Sequence, residues 1–344
     1  MKVLLIKISS MGDVLHTLPA LTDATQAIPA LEIDWLVDEG FSPIPAWHPA
    51  VKNIITVPLR KWKKNIFSLK TAIEFFSFCI VLRKKKYDLI IDAQGLLKSA
   101  ITAKIANGKI AGLNKDSARE PISCFFYAKK YAIKKNQHAI LRTRQLFAQI
   151  FNYPFEDKKI NYGVHFDKLP ILPISLENNY VVFLHGTTWE SKHYPNSYWK
   201  ILLEKCHENN MIVYLPWGND TEKLRAEKLI EGIPTAKILP RLSISQMAAV
   251  LKKATAVVAV DTGFGHLCAA LGTPTISLYG PTDSKEIGTF GDNQIQLQAN
   301  FPCSPCKNRE CLYAKTHQTD VVPACFATIN PDIVWHALKK IIGG

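Results

Sequence analysis

Val3-Leu4-Leu5-Ile6-Lys7-Ile8, followed at once by Ser9-Ser10-Met11-Gly12-Asp13, is the stretch that decides the fold. The first six residues form an apolar run of strand length, and a tight turn follows. Val14, Leu15, Leu18 and Leu21 then recur at helical spacing, so a helix opens near Asp13. A nearly continuous apolar strand that leads straight into a helix is the opening unit of a parallel α/β sheet. Residues 33–37 and 87–92 read as further strands of the same kind. The second half repeats the pattern. Residues 180–185, 212–215, 256–260 and 275–279 are apolar strands, and 198–208 and 245–252 carry helical spacing. Between the halves, 167–179 holds Pro170 and Pro173 and ends in Glu177-Asn178-Asn179, a linker composition. The spacing predicts two α/β domains, 1–166 and 180–330, joined by that linker. A final helix is expected over 333–342, within 331–344. Two domains of this kind leave a cleft between the carboxyl ends of their sheets, where ligands bind.

Composition removes several classes. The 344 residues suffice for about two domains, each with a core of its own. At 47% apolar and 21% charged residues, the chain is not disordered. No apolar run is long enough to span a bilayer, and the best, residues 72–82, contains Glu74. The first residues lack a secretory leader pattern, so a cytoplasmic location is expected. Eight cysteines in this length do not form a disulfide scaffold, as befits a reducing compartment.

Charge is unevenly spread. The formal net charge is +13, of which +12 falls in positions 1–166 and +1 in 167–344. A basic half implies an anionic partner: nucleic acid, an acidic membrane surface or an acidic substrate. The excess concentrates in residues 52–86, with ten basic residues and the single acid Glu74. Trp62, Ile66, Phe67, Leu69, Ile73, Phe75, Phe76 and Phe78 are interleaved with them. Basic and aromatic residues in this pattern suit an anionic membrane surface, and residues 75–82 are expected to sit mainly in the core. The same composition describes a groove for a nucleic-acid strand, although no nucleic-acid motif accompanies it.

Four constellations follow strands. Asp13 stands at the carboxyl edge of the first strand, where it either caps the helix or takes a proton from a substrate hydroxyl. Asp261-Thr262-Gly263-Phe264-Gly265-His266 presents a helix start, which suits a phosphate or diphosphate; the plain alternative is a capped turn. His185-Gly186-Thr187-Thr188 is a similar loop, with Lys192 able to neutralise charge on a leaving phosphate or simply solvated. Leu215-Pro216-Trp217-Gly218-Asn219 precedes Glu222, which either accepts from sugar hydroxyls or is an ordinary first-turn acid. Walker A, G-x-G-x-x-G, G-x-S-x-G and H-E-x-x-H signatures are absent. No D-x-D pair is present to hold a metal against a diphosphate, so helix ends and Lys192 would replace it. Cys303, Cys306, Cys311 and Cys325 give C-x2-C-x4-C-x13-C, which is either a zinc set or a group of reduced thiols packing the tail.

Residues 1–28 closely resemble the lipopolysaccharide heptosyltransferases of glycosyltransferase family 9, in the branch whose acceptor is Kdo. So do Asp92-Ala93-Gln94-Gly95-Leu96, Ala118-Arg119-Glu120-Pro121, Leu215-Pro216-Trp217-Gly218 and Asp261-Thr262-Gly263. The resemblance runs to about residue 291 and implies the GT-B fold, two Rossmann-like domains facing each other across a cleft. The last helix would cross back to the first domain. It implies an inverting transfer of L-glycero-D-manno-heptose from ADP-heptose to Kdo of Kdo2-lipid A, with no covalent intermediate and no required cofactor. Asp13 matches the base. Thr187, Thr188, Lys192, Glu222, Asp261, Thr262, Gly263 and His266 match the donor site, and Arg60, Lys61, Lys64 and Arg119 the acceptor side. One departure is Tyr194 before Pro195, where the family leads one to expect Trp; it falls at a ring that only needs to pack. The implied setting is a monomer, peripheral on the cytoplasmic face of the inner membrane, with no nucleic acid. Another family 9 branch with a heptose acceptor is the near alternative. A non-catalytic basic protein that binds nucleic acid or a lipid surface is the alternative of another class.

Overall fold

The computed structural model describes residues 1–65, 67–157, 159–166 and 169–343, without the side chains of Arg60 and Lys63. The acceptor-side expectation for the Arg60 side chain therefore lies outside the described residues. Contacts divide the chain into Met1–Phe166 and Asp167–Gly344.

The first unit carries β1 (Lys2–Ile6), β2 (Glu32–Asp38), β3 (Val51–Val57), β4 (Leu89–Asp92), β5 (Ile110–Leu113) and β6 (Lys129–Tyr131). They lie in the order β3-β2-β1-β4-β5-β6, and every pair is parallel. β1 is buried at every position but Lys2, because helices cover both faces of a parallel sheet. The turn after it opens the helix Met11–Leu15. A second helix, Leu18–Ala27, restarts with Pro19 in its first turn, where a missing N–H costs nothing.

The second unit carries β7 (Tyr180–Leu184), β8 (Ile212–Leu215), β9 (Ala236–Ile238), β10 (Ala256–Val260), β11 (Thr275–Tyr279) and β12 (Gln294–Gln298). Their order, β12-β11-β10-β7-β8-β9, is again all parallel and repeats the first sheet. In each sheet the strand order reverses beside the first strand, between β1 and β4 and between β7 and β10. That reversal opens a crevice at the carboxyl ends of the strands, the usual ligand position in such sheets.

The second core gathers Phe183, Trp199, Leu203, Val258, Leu278 and Phe326, all nearly inaccessible to water. Each such side chain contributes about 1.5–3 kcal/mol by burial. Tyr194, the departure noted above, is buried here; its hydroxyl donates to Ile329 O at 2.8 Å and its ring meets Trp199 and Phe326 edge-on. The final helix is Pro331–Gly343, and Asn330 Oδ1 accepts from Ile333 N at its start. Its Val334, Trp335 and Leu338 complete this same core.

One expectation is overturned. Residues 75–82 do not sit mainly in the core. In the helix Leu69–Lys84 only Thr71 and Leu82 are buried, while Phe75, Phe76, Ile80 and Val81 are exposed. Apolar residues surround this helix, and the fold covers only the narrow strip around Thr71 and Leu82. Trp62 is buried against Phe75 and Phe78.

Candidate functional site

In the first unit, the loops after β1, β4 and β5 meet at the switch point. Asp13 Oδ2 accepts from Ser10 N at 2.7 Å and from Ser10 Oγ at 3.0 Å. The carboxylate thus does close its own helix start, as the plain reading held, and its rotation is fixed by doing so. Asp92, at the end of β4, is fully buried and accepts from Gln94 N, Gly95 N, Ser99 Oγ and Tyr127 Oη. Burial pushes its carboxyl up, while these four donors oppose the shift. Gln94 Oε1 in turn accepts from Ile8 N and Ser9 N, which ties the β4 loop to the loop that carries Asp13. Gly95 has φ +67°, a left-handed backbone that glycine adopts without strain, and it lies beside the backbone of Ala118 and Arg119. Glu120 N donates to Gly95 O, so the exposed Arg119 is held at this edge.

Lys7 was read only as part of the first strand, yet it is buried here. Its Nζ donates to Ala93 O at 2.9 Å. Burial lowers its pKa, and the charges of Asp13 and Asp92 act in the other direction. The signal in the sequence was a lysine inside an otherwise apolar run. Of the remaining acceptor-side residues, Lys61 is paired with Glu74 at 2.7 Å and Lys64 is exposed.

In the second unit the loops after β7, β10 and β11 converge. Lys192 Nζ lies 2.7 Å from Asp261 Oδ2 and above the ring of Trp189. Thr282 Oγ1 donates to the same carboxylate oxygen at 2.8 Å, and His266 Nε2 is 3.8 Å from Oδ1. Thr187 Oγ1 donates to Asp261 O at 3.0 Å. The helix Gly263–Leu271 starts at this point; Thr262 is extended and makes no side-chain cap bond. Structure therefore brings Thr187, Lys192, Asp261, Thr262, Gly263 and His266 together. Thr188 is exposed on the same loop. Thr282 escaped the sequence reading because it comes from a separate loop.

Glu222 joins this edge from the β8 side. Its Oε2 accepts from Gly218 N at 2.7 Å, and Asn219 Oδ1 caps its helix by accepting from Glu222 N. The carboxylate rests on the β7 loop: a Cβ on Gly186 would come within 2.8 Å of Glu222 Cδ. Arg225 Nη1 reaches His193 Nδ1 at 2.7 Å, and burial with the Arg225 charge lowers the His193 pKa. Trp217 donates from Nε1 to Leu239 O at 2.7 Å, so its indole is anchored at one end.

Cys303, Cys306, Cys311 and Cys325 line one pocket together with Ser191 and Gly280. All four are free thiols. Burial and the neighbouring sulfurs push Cys325 up to about 12. Among the described residues no group of three or more His, Cys, Asp or Glu is disposed to hold a metal ion. Cys325 is buried beside Phe326. The tail does support the site: Ser191 N donates to Arg309 O and Ser191 Oγ to Asn308 O, which fixes the residue before Lys192.

Each of the two Rossmann-like sheets carries its polar loops at a switch point, and the second adds Lys192 and the start of a helix, a combination that suits an anionic ligand. The sequence pattern of Glycosyltransferase family 9 (heptosyltransferase) matches residues 76–317, and the chain belongs to this family. It is a glycosyltransferase of the GT-B fold. Lipopolysaccharide heptosyltransferase 1 of Pseudomonas aeruginosa is 47% identical over 350 residues, covering 99% of this chain and 98% of that protein. The protein of that name from Escherichia coli (strain K12) is 45% identical over 300 residues, covering 87% and 94%. The solved structure of E. coli heptosyltransferase WaaC with ADP matches at a TM-score of 0.85 and 40% identity, covering 99% and 100% of the two chains.

Proposed function

We propose that this chain transfers L-glycero-D-manno-heptose from ADP-heptose to Kdo of Kdo2-lipid A, with inversion and with Asp13 as general base. The observation that carries the reading is the meeting of Lys192, Asp261 and Thr282 at the start of helix Gly263–Leu271. A diphosphate placed there would meet the helix's first N–H groups and the positive end of its dipole. Lys192 has three donors, so its pairing with Asp261 leaves others that could meet the leaving phosphate. The relatives add support: those at 45–47% identity carry the name heptosyltransferase 1, and a WaaC structure holds ADP-2-deoxy-2-fluoro heptose.

The step needs one base. Ser10 engages Asp13 Oδ2 twice, which leaves Oδ1 to receive the proton of the attacking Kdo hydroxyl. The new glycosidic bond forms as the bond from the anomeric carbon to ADP breaks, and the electron pair leaves on the diphosphate. Arg119, Lys61 and Lys64 would hold acidic groups of the acceptor. The +12 of the first half suits peripheral attachment to the anionic cytoplasmic face of the inner membrane. No helix among the described residues is long and apolar enough to cross a membrane.

The test is ADP release from ADP-heptose in the presence of Kdo2-lipid A. Release that requires the acceptor is expected; none with active substrates would sink the reading. Faster release with an already heptosylated acceptor would transfer the protein to the other branch.

A further inference from the structure

The helix Leu69–Lys84 has one apolar stripe too many. Its inner face is marked by Thr71 and Leu82, which are buried, and by Phe78, which meets Trp62. Leu69, Ile73, Phe76 and Ile80 recur at i, i+4, i+7 and i+11 on the opposite side, within about 60° of arc at 100° per residue. These four are exposed; Phe76 is 67% and Ile80 59% accessible. Single exposed apolar side chains are ordinary, but an aligned row of them marks an interaction surface.

The row continues onto the neighbouring elements. The helix Leu97–Ile105 packs beside Leu69–Lys84, and the turn Pro121–Phe126 packs beside that. They add the exposed Ile101, Ile122 and Phe125. Phe67 precedes the helix and is fully exposed. Glu120, just before the turn Pro121–Phe126, donates from N to Gly95 O, so the start of that turn lies at the loop that carries Arg119.

Charge selects the occupant. Lys61, Lys64 and Lys70 stand at the start of this row and Arg83, Lys84, Lys85 and Lys86 at its end. Glu74 is the one acid between them; it is paired with Lys61 and accepts a hydrogen bond from Trp62 Nε1. Cations at both ends of an apolar stripe fit an element that lies flat in an anionic headgroup layer.

We propose that the outward stripe of helix Leu69–Lys84, extended by Phe67 and Phe125, inserts into an anionic bilayer surface and seats the Asp13 edge of the sheet against it. This deepens the membrane reading given above and rests on it. It adds that apolar insertion, beyond charge attraction, holds the protein there.

The experiment is co-sedimentation with vesicles of phosphatidylethanolamine and phosphatidylglycerol that contain no Kdo2-lipid A. The double variant Phe76→Ser, Ile80→Ser is compared with the parent protein at low salt and at about 0.5 M salt, where charge attraction is screened. Both positions are exposed, so folding is preserved, and circular dichroism checks it. The expected result is residual binding of the parent at high salt and at least a tenfold weaker vesicle affinity for the variant. Transfer to a deacylated, soluble acceptor should be unchanged in the variant. Equal binding of the two proteins, or no high-salt binding by the parent, overturns the proposal. A parent dimer that the variant dissociates in sedimentation velocity also overturns it, because a second copy would then cover the stripe. Loss of transfer in the parent itself would instead refute the assigned activity.

Discussion

Gly186→Ala isolates the contact between the β7 loop and Glu222. The backbone of Gly186 is not left-handed, so alanine brings no backbone strain. Its Cβ would lie 2.8 Å from Glu222 Cδ and 2.9 Å from Oε1. Close-packed carbon neighbours stand farther apart, so the carboxylate must retreat by about half an ångström or more. It is the free end of a flexible side chain, and the fold can absorb the shift. The cost falls on its 2.7 Å bond from Gly218 N and on any bond to the donor sugar or ribose. One such bond to a charged group contributes about 1.5–3 kcal/mol, which converts to roughly a 10- to 100-fold rise in donor KM at about 1.4 kcal/mol per decade. The assay is initial-rate ADP release against ADP-heptose concentration, with thermal melting alongside. A higher KM, a nearly unchanged kcat and a Tm within a few degrees of the parent are expected. Gly343→Ala is the control, since its added Cβ would meet nothing within 4 Å. A normal donor KM for Gly186→Ala would show that Glu222 takes no part in binding the donor.

Four other outcomes can be measured. Asp13→Asn should keep ADP binding by calorimetry and lose about 100- to 10,000-fold in transfer rate; normal turnover would reduce Asp13 to a cap. Leu82→Ala, inside the fully buried strip of its helix, should lower stability by about 2–5 kcal/mol in urea unfolding, whereas Ile80→Ala should change it little. His48 is pushed down to about 4 by burial, and its Nδ1 accepts from Ala50 N while its Nε2 faces Thr22 Oγ1 at 3.1 Å. Between pH about 6.5 and 4 the unfolded chain takes this proton and the folded chain does not, so stability should fall across that window by up to about 3 kcal/mol; His48→Gln should flatten that part of the profile. Acceptor use should decline steeply with salt and ADP binding only shallowly, since +12 of the net charge lies in the first half; equal sensitivities would count against the assignment of the halves.

Legibility in the sequence followed burial. β7, β10 and β11 are buried at every position and read directly as apolar runs. β12, Gln-Ile-Gln-Leu-Gln, is half-exposed at every position, and β6 is only Lys-Lys-Tyr, so neither announced itself. Edge strands are covered less, and selection on their apolarity is weaker. The site loops were legible because each follows a buried strand and carries Gly, Thr or Asp. Thr282 and Lys7 were not, since their roles depend on contacts with loops distant in sequence. The helix Leu69–Lys84 misled for a related reason. Periodicity shows that a side of a helix is apolar, but with apolar residues all round it does not say which side the sheet will cover.

The two sheets share one strand order, and each keeps its own core and its own loops at a switch point. The residues proposed to read the acceptor and those proposed to read the donor therefore belong to separate cores. Recombination near Phe166 should exchange one recognition half while leaving the other intact. A lineage could thus acquire a new acceptor sugar without altering its nucleotide-sugar supply, and chimaeras of related enzymes joined there offer a direct route to new linkages.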